Sequence, residues 1–118
     1  MNEPSVSPVE ALLVEYERLA LSWDASQHDA KIANRHFVDL HQLALLLRQS
    51  SEGRSGLEQL IGHENRGVRL AAAADSLQWG SKVGIRALSA LKASKGSHSF
   101  TAEMTLREYR AGRTNFDW

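Results

Sequence analysis

The sequence predicts an all-α fold, a short antiparallel stack of five or six helices, and three observations carry that prediction. Apolar residues recur at spacings of three and four through most of the chain, the signature of helices with one buried stripe. No stretch shows the sustained β-branched alternation of a strand. Residues with capping chemistry, Ser7 and Asn65, stand ahead of two of the periodic stretches.

The first stretch, residues 9–27, places Val9, Leu12, Leu13, Tyr16, Leu19, Ala20 and Trp23 on one stripe and leaves Glu10, Glu15, Glu17 and Arg18 off it. Ser7 before Pro8 reads as an N-cap with proline in the first turn, and Glu10 fits a capping box. A second stripe over residues 29–51 runs through Ile32, Ala33, His36 or Phe37, Leu40, Leu43, Ala44 and Leu47. A helix of that length measures roughly 33 Å at 1.5 Å per residue. Only a few polar residues join the two, so they pair as an antiparallel hairpin. Ser50-Ser51-Glu52-Gly53 reads as the close of the second helix.

The second half is built from shorter units. Leu57 to Ile61 forms a brief helix, with Gly62 suited to a left-handed stop. Asn65 caps a helix through Val68, Leu70 and the alanines 71–74 to Leu77, and those small side chains allow a neighbour to come close. Residues 81–93 form another helix, in which Gly84 costs about 1 kcal/mol of propensity. A last helix covers residues 100–111, with Gly112 past its end. The expected organisation is a leader over residues 1–8, one helical domain over 9–112 and a tail over 113–118.

Composition narrows the chemistry. A chain of 118 residues loses roughly two-thirds of its unfolded surface to the interior, enough for one core. With no cysteine there are no disulfides, thiolate metal sites or thiol nucleophiles, and a reducing cytoplasm is the expected location. The leucine-rich apolar run over residues 43–47 falls far short of the ~20 residues that span a bilayer. Residues 1–5 carry an acid and no base, unlike a secretion signal. Fourteen basic residues balance fourteen acids overall, but residues 1–52 hold four against eight and residues 53–118 ten against six. Such a split bears on partner choice and self-association.

Residues 57–73 carry a resemblance. Leu57-Glu58-Gln59-Leu60-Ile61-Gly62-His63-Glu64-Asn65-Arg66-Gly67-Val68-Arg69-Leu70-Ala71-Ala72-Ala73 resembles the junction of a HEAT or armadillo-type repeat, with Glu64 where those turns often have proline. The arginine of the Val-Arg pair is expected to bond carbonyls or acids at the turn. With Ala33-Asn34-Arg35 and the closing stretch from Ala102 to Arg110, the chain is similar to the small bacterial DUF2019 family over most of residues 10–112. The resemblance implies a HEAT-like α-α superhelix and brings no activity and no catalytic residues with it.

No catalytic residue, cofactor or metal site is expected. His36 and His41 lie about 140° apart round a helix, so they share no ligand face despite Asp39 between them. His28, His63 and His98 fall at helix ends. Ser55-Gly56 and Gly80-Ser81 lack a nucleophile elbow, and Gly53-Arg54-Ser55-Gly56 lacks the features of a phosphate loop.

The candidate binding surface consists of Arg66, Arg69, Arg107, Arg110, Arg113 and Trp118. Arg107, Arg110 and Arg113 recur every three residues, and Lys82, Arg86, Lys92 and Lys95 precede them, with Asp75, Glu103 and Glu108 interspersed. Tyr16, Trp23, Phe37 and Phe100 are expected in the core and Trp79 in a gap between layers. Trp118, with Phe116, either folds back or anchors a partner. The expected function is a non-catalytic protein-protein interaction module, regulatory or immunity-type, acting as a monomer or weak homo-oligomer. The alternative is a nucleic-acid-binding module using the basic half. Against it, the chain is neutral overall, where dedicated nucleic-acid domains have pI above ~9.

Overall fold

Five of the six α-helices among the described residues begin at a side chain that accepts a hydrogen bond from the first turn. The computed structural model describes residues 7–118, so most of the expected leader lies outside the described residues. Helix α1 spans Pro8–Ala25, with Ser7 Oγ accepting from the Glu10 N–H at 3.1 Å. Helix α2 spans Ala30–Leu47, and the Asp29 carboxylate accepts from the N–H groups of Lys31 and Ile32. Ser50 caps α3, Ser51–Leu60, and Asn65 caps α4, Arg66–Ser76, which ends in a 3-10 turn, Leu77–Trp79. Ser81 caps α5, Lys82–Ser94. Each such cap contributes about 1 kcal/mol. Helix α6, Ser99–Arg110, has no side-chain cap and starts from His98 in a left-handed conformation (φ 68°).

The helices pack as three consecutive hairpins, α1 on α2, α3 on α4 and α5 on α6, stacked in chain order. Among the described residues there is no strand, and the fold is an all-α helical stack. Helix α4 is the centre, touching α1, α3, α5 and α6. Its Val68, Ala72 and Ala73 are fully buried, as the alanine run predicts. Two full layers can meet there because the facing residue of α5 is Gly84. A Cβ at that position would collide with buried Ser76 Oγ and stand 3.0 Å from the Ala73 carbonyl oxygen. The propensity lost at Gly84 is offset by the close approach it allows. No helix among the described residues is long and apolar enough to cross a membrane.

Four expectations are corrected. Ser50-Ser51-Glu52-Gly53 does not close the second helix but opens the third, and α3 runs through Gly53 and Gly56. Those glycines look like breakers but serve close packing: a Cβ at Gly53 would strike the Leu47 carbonyl, and one at Gly56 the Leu13 side chain. Gly62 is not left-handed. The turn after α3 is a run of tight bonds, Gly62 N–H to Gln59 O and His63 N–H to Leu60 O, both at 3.0 Å. Phe37 and Phe100 are outside the core, 49% and 72% exposed. The register of α6 is set by buried Ala102 and Leu106, and Phe100, two residues before Ala102, points the opposite way. Phe37 does lie on the α2 stripe, but its ring faces Trp118 instead of another helix.

These contacts give opposite signs for two glycine substitutions. Gly84→Ala loses stability, because overpacking of ~1–3 kcal/mol exceeds the helix propensity gained. Gly62→Ala, whose Cβ would meet nothing closer than 3.5 Å, is neutral or stabilising by up to ~1 kcal/mol. Thermal unfolding of both variants checks this, and a stabilised Gly84→Ala would disprove the tight α4–α5 contact.

Candidate binding site

Tyr16 of α1 has no exposed surface, so its hydroxyl must find its partner inside the protein. It donates to Asp75 Oδ2 of α4 at 2.5 Å, across 59 residues of sequence. Burial pushes the Asp75 carboxyl up to about 6, against the opposing effects of the Tyr16 hydrogen bond and the Arg48 charge. The Tyr16 hydroxyl is itself raised well above its usual range, first by burial and then by the Asp75 charge.

Asp75 borders a cavity of about 270 Å³ between α2, α4 and α6. Leu40 and Ala44 of α2 and Leu70, Ala71 and Ala74 of α4 make its apolar walls, with Thr101 and Thr105 on the α6 side. The segment 113–118 closes the remaining side through Thr114, Asn115, Phe116 and Trp118. Gly112, at φ 71°, turns the chain out of α6: its N–H bonds Tyr109 O and the Arg113 N–H bonds Glu108 O, a Schellman closure. From there the segment crosses to α2. The Arg48 guanidinium donates to the Phe116 carbonyl at 3.0 Å and pairs with the Asp117 carboxylate. His41 Nε2 lies 2.6 Å from the main-chain oxygen of Trp118, an acceptor, so Nε2 donates. The His41 ring stacks on the Trp118 indole at 3.7 Å between centroids, and Phe37 stacks on that indole at 5.5 Å.

Trp23 borders the other end of the cavity, its ring stacked on His98 at 5.2 Å. His98 Nε2 bonds Asp24 Oδ1 at 2.5 Å, and Asp24 Oδ2 accepts from the Asn65 side chain. Asp24 at the end of α1 thus ties together the residues that start α4 and α6. Among the described residues, no three His, Asp or Glu side chains converge as a metal site would require.

Of the six residues of the expected surface, only Trp118 borders the cavity. Arg66 is a clamp, donating to Ser94 Oγ and to the carbonyls of Lys95 and Ser97. Arg69 donates to the carbonyls of His63 and Glu64, both at 3.0 Å, which is the turn-bonding role expected for it. Arg107 pairs with Glu103, and Arg113 makes a bidentate bond to Glu108. Arg110 is exposed and makes no side-chain hydrogen bond or ion pair among the described residues. Trp79 is half-buried and donates to Glu58 Oε1 at 3.0 Å; this bond, followed by one from Ser81, holds the Glu58 carboxyl below its usual range.

Sequence reasoning missed Asp75, Arg48 and His41 as site residues. Each sits on a helix stripe that reads as solvated or as core, and the partners lie 59 to 77 residues away. The spacing of Phe37, His41 and Arg48 at i, i+4 and i+11 was a readable signal of one face.

The raised Asp75 carboxyl has a defined consequence for stability. Between 3.8 and about 6 the folded chain holds a proton that the unfolded chain has released. Stability therefore falls as pH rises through that window, by on the order of 2–3 kcal/mol for this group. Acids held low, such as Glu58, act in the opposite sense, so the group is isolated by comparison with Asp75→Asn. Wild type loses stability relative to Asp75→Asn as pH goes from 4 to 7. A difference that stays flat in thermal melts over that range would disprove the enclosed carboxyl.

Compared with protein-family models, curated proteins and solved structures, the chain matches none of them, and the chemistry of the site is carried by its own residues.

Proposed function

We propose that this protein is a non-catalytic protein-protein interaction module, regulatory or immunity-type, whose binding face is the groove between α2, α4 and α6. One observation carries the reading: an apolar-walled cavity of about 270 Å³ with a carboxylate at its edge and half-exposed aromatic rings, Phe37 and Trp118, on its rim. Exposed apolar patches rimmed by polar residues mark interaction sites, and aromatic side chains anchor the partners that bind there. Three serial hairpins and the DUF2019 resemblance support a short HEAT-like superhelix, a fold whose stacked helices serve as binding surfaces. A cytoplasmic site of action and a monomeric or weakly self-associating state fit the same reading. Arg66, Arg69, Arg107 and Arg113 are engaged within the chain, which counts against a surface that neutralises phosphates.

Affinity capture from native lysate, eluted in rising salt with and without nuclease, tests the proposal. The expected result is one protein in near-stoichiometric amount, nuclease-resistant, lost with Phe37→Ala and kept with Arg110→Ala. Recovery of nucleic acid that is lost between 50 and ~200 mM salt would overturn it in favour of backbone binding.

A further inference from the structure

The segment 113–118 has no regular secondary structure, yet its last three residues are read group by group. Arg48 takes the Phe116 carbonyl and the Asp117 carboxylate, and His41 takes the Trp118 main-chain oxygen while stacking under its indole. Phe37 covers the indole from the next turn of α2. Phe116 packs half-buried against the core, and Asn115 Oδ1, accepting from the Asp117 N–H at 2.9 Å, forms the turn that separates it from Asp117. All three reading residues lie along one face of α2. Main-chain oxygens, one acid and two aromatic rings are the features by which a receptor reads a short unstructured peptide.

The seat is also shallow. Trp118 is 48% exposed and Phe37 49%. Asp117 is exposed enough for its pair with Arg48 to be weak and screened by salt. The segment is held there because it is tethered: a short flexible link acts as millimolar ligand.

We propose that the α2 ridge of Phe37, His41 and Arg48 is a receptor for an aromatic–acidic–aromatic peptide segment of a partner protein, and that residues 116–118 are its resident, displaceable occupant. The inference rests on the interaction-module reading and names the chemistry of the ligand. The partner supplies an aromatic side chain for the cavity, an acid for Arg48 and a second aromatic for the Phe37–His41 stack. While the resident segment is seated, apparent affinity is reduced by the fraction of molecules in which the ridge is open.

The test uses the full chain and a fluorescently labelled, amidated hexapeptide of residues 113–118, Arg-Thr-Asn-Phe-Asp-Trp, followed by anisotropy. Trp118→Ala empties the ridge and binds the peptide at least about tenfold more tightly than wild type, the ratio expected of a segment seated ten times more often than not. Asp117→Asn, a milder release, gives a smaller gain in the same direction. Adding His41→Ala or Arg48→Ala to Trp118→Ala removes the gain, as does alanine at either aromatic of the peptide. Thermal melts establish that every variant is folded. A folded Trp118→Ala that binds no better than wild type, or binding indifferent to Arg48→Ala, would overturn the proposal. So would a concentration-dependent dimer seen by light scattering and abolished by Trp118→Ala, which would assign the ridge to a second copy. If the peptide fails while capture still returns a protein that depends on Phe37, the peptide chemistry is wrong and the interaction module stands.

Discussion

A tyrosine hydroxyl with no route to solvent is the constraint around which the rest of the molecule is arranged. Tyr16 sits at the centre of the first hairpin, and its ring contributes to the core like any large apolar group. Its oxygen cannot be left unpaired there, because an unsatisfied buried hydroxyl costs on the order of 1–3 kcal/mol. Asp75 satisfies it and is itself partly buried, its carboxyl raised by that burial. One hydrogen bond therefore fixes α1 against α4, and it places a carboxylate beside the cavity that α2, α4 and α6 surround. Polarity at the candidate site is a by-product of how the core was closed.

What the sequence made legible is local. Ser7 and Asn65 each stand one residue before a helix, where a short acceptor can satisfy the first turn, and the apolar stripes of α1 and α4 are buried as their spacing implies. Val68-Arg69 opens α4 with the arginine on the turn carbonyls, as the repeat-like pattern implies. The errors come from glycine and from distance. Gly53 and Gly56 read as punctuation because a sequence does not reveal whether a glycine bends the chain or makes room for another helix. Phe37 has the spacing of a core residue, and only the path of residues 113–118 decides what it faces.

The site itself was nearly invisible for the same reason. Trp118 stood out as an aromatic in a polar segment, but its partners His41 and Phe37 lie in a helix whose stripe already had an explanation. The arginines stood out as a cationic run, and most of them turned out to be held by carbonyls and carboxylates within the chain. Charge periodicity shows which side chains share a face, and says nothing about how many are already bonded.

The path of residues 113–118 changes the connectivity of the whole stack. Hairpins piled in chain order form a one-dimensional array, in which each unit is stabilised by its immediate neighbours and the outer units fray independently. Here the last hairpin ends in a strap that reaches back to α2 in the first, through Arg48 and His41. The strap adds a second link between the first and last hairpins, beside the Asp24–His98 bond and the Trp23–His98 stack, so opening at α6 is coupled to opening at α2. Release of six residues would then do more than uncover a groove: it would remove one of the two links between the outer hairpins and lower the cooperativity with which they unfold.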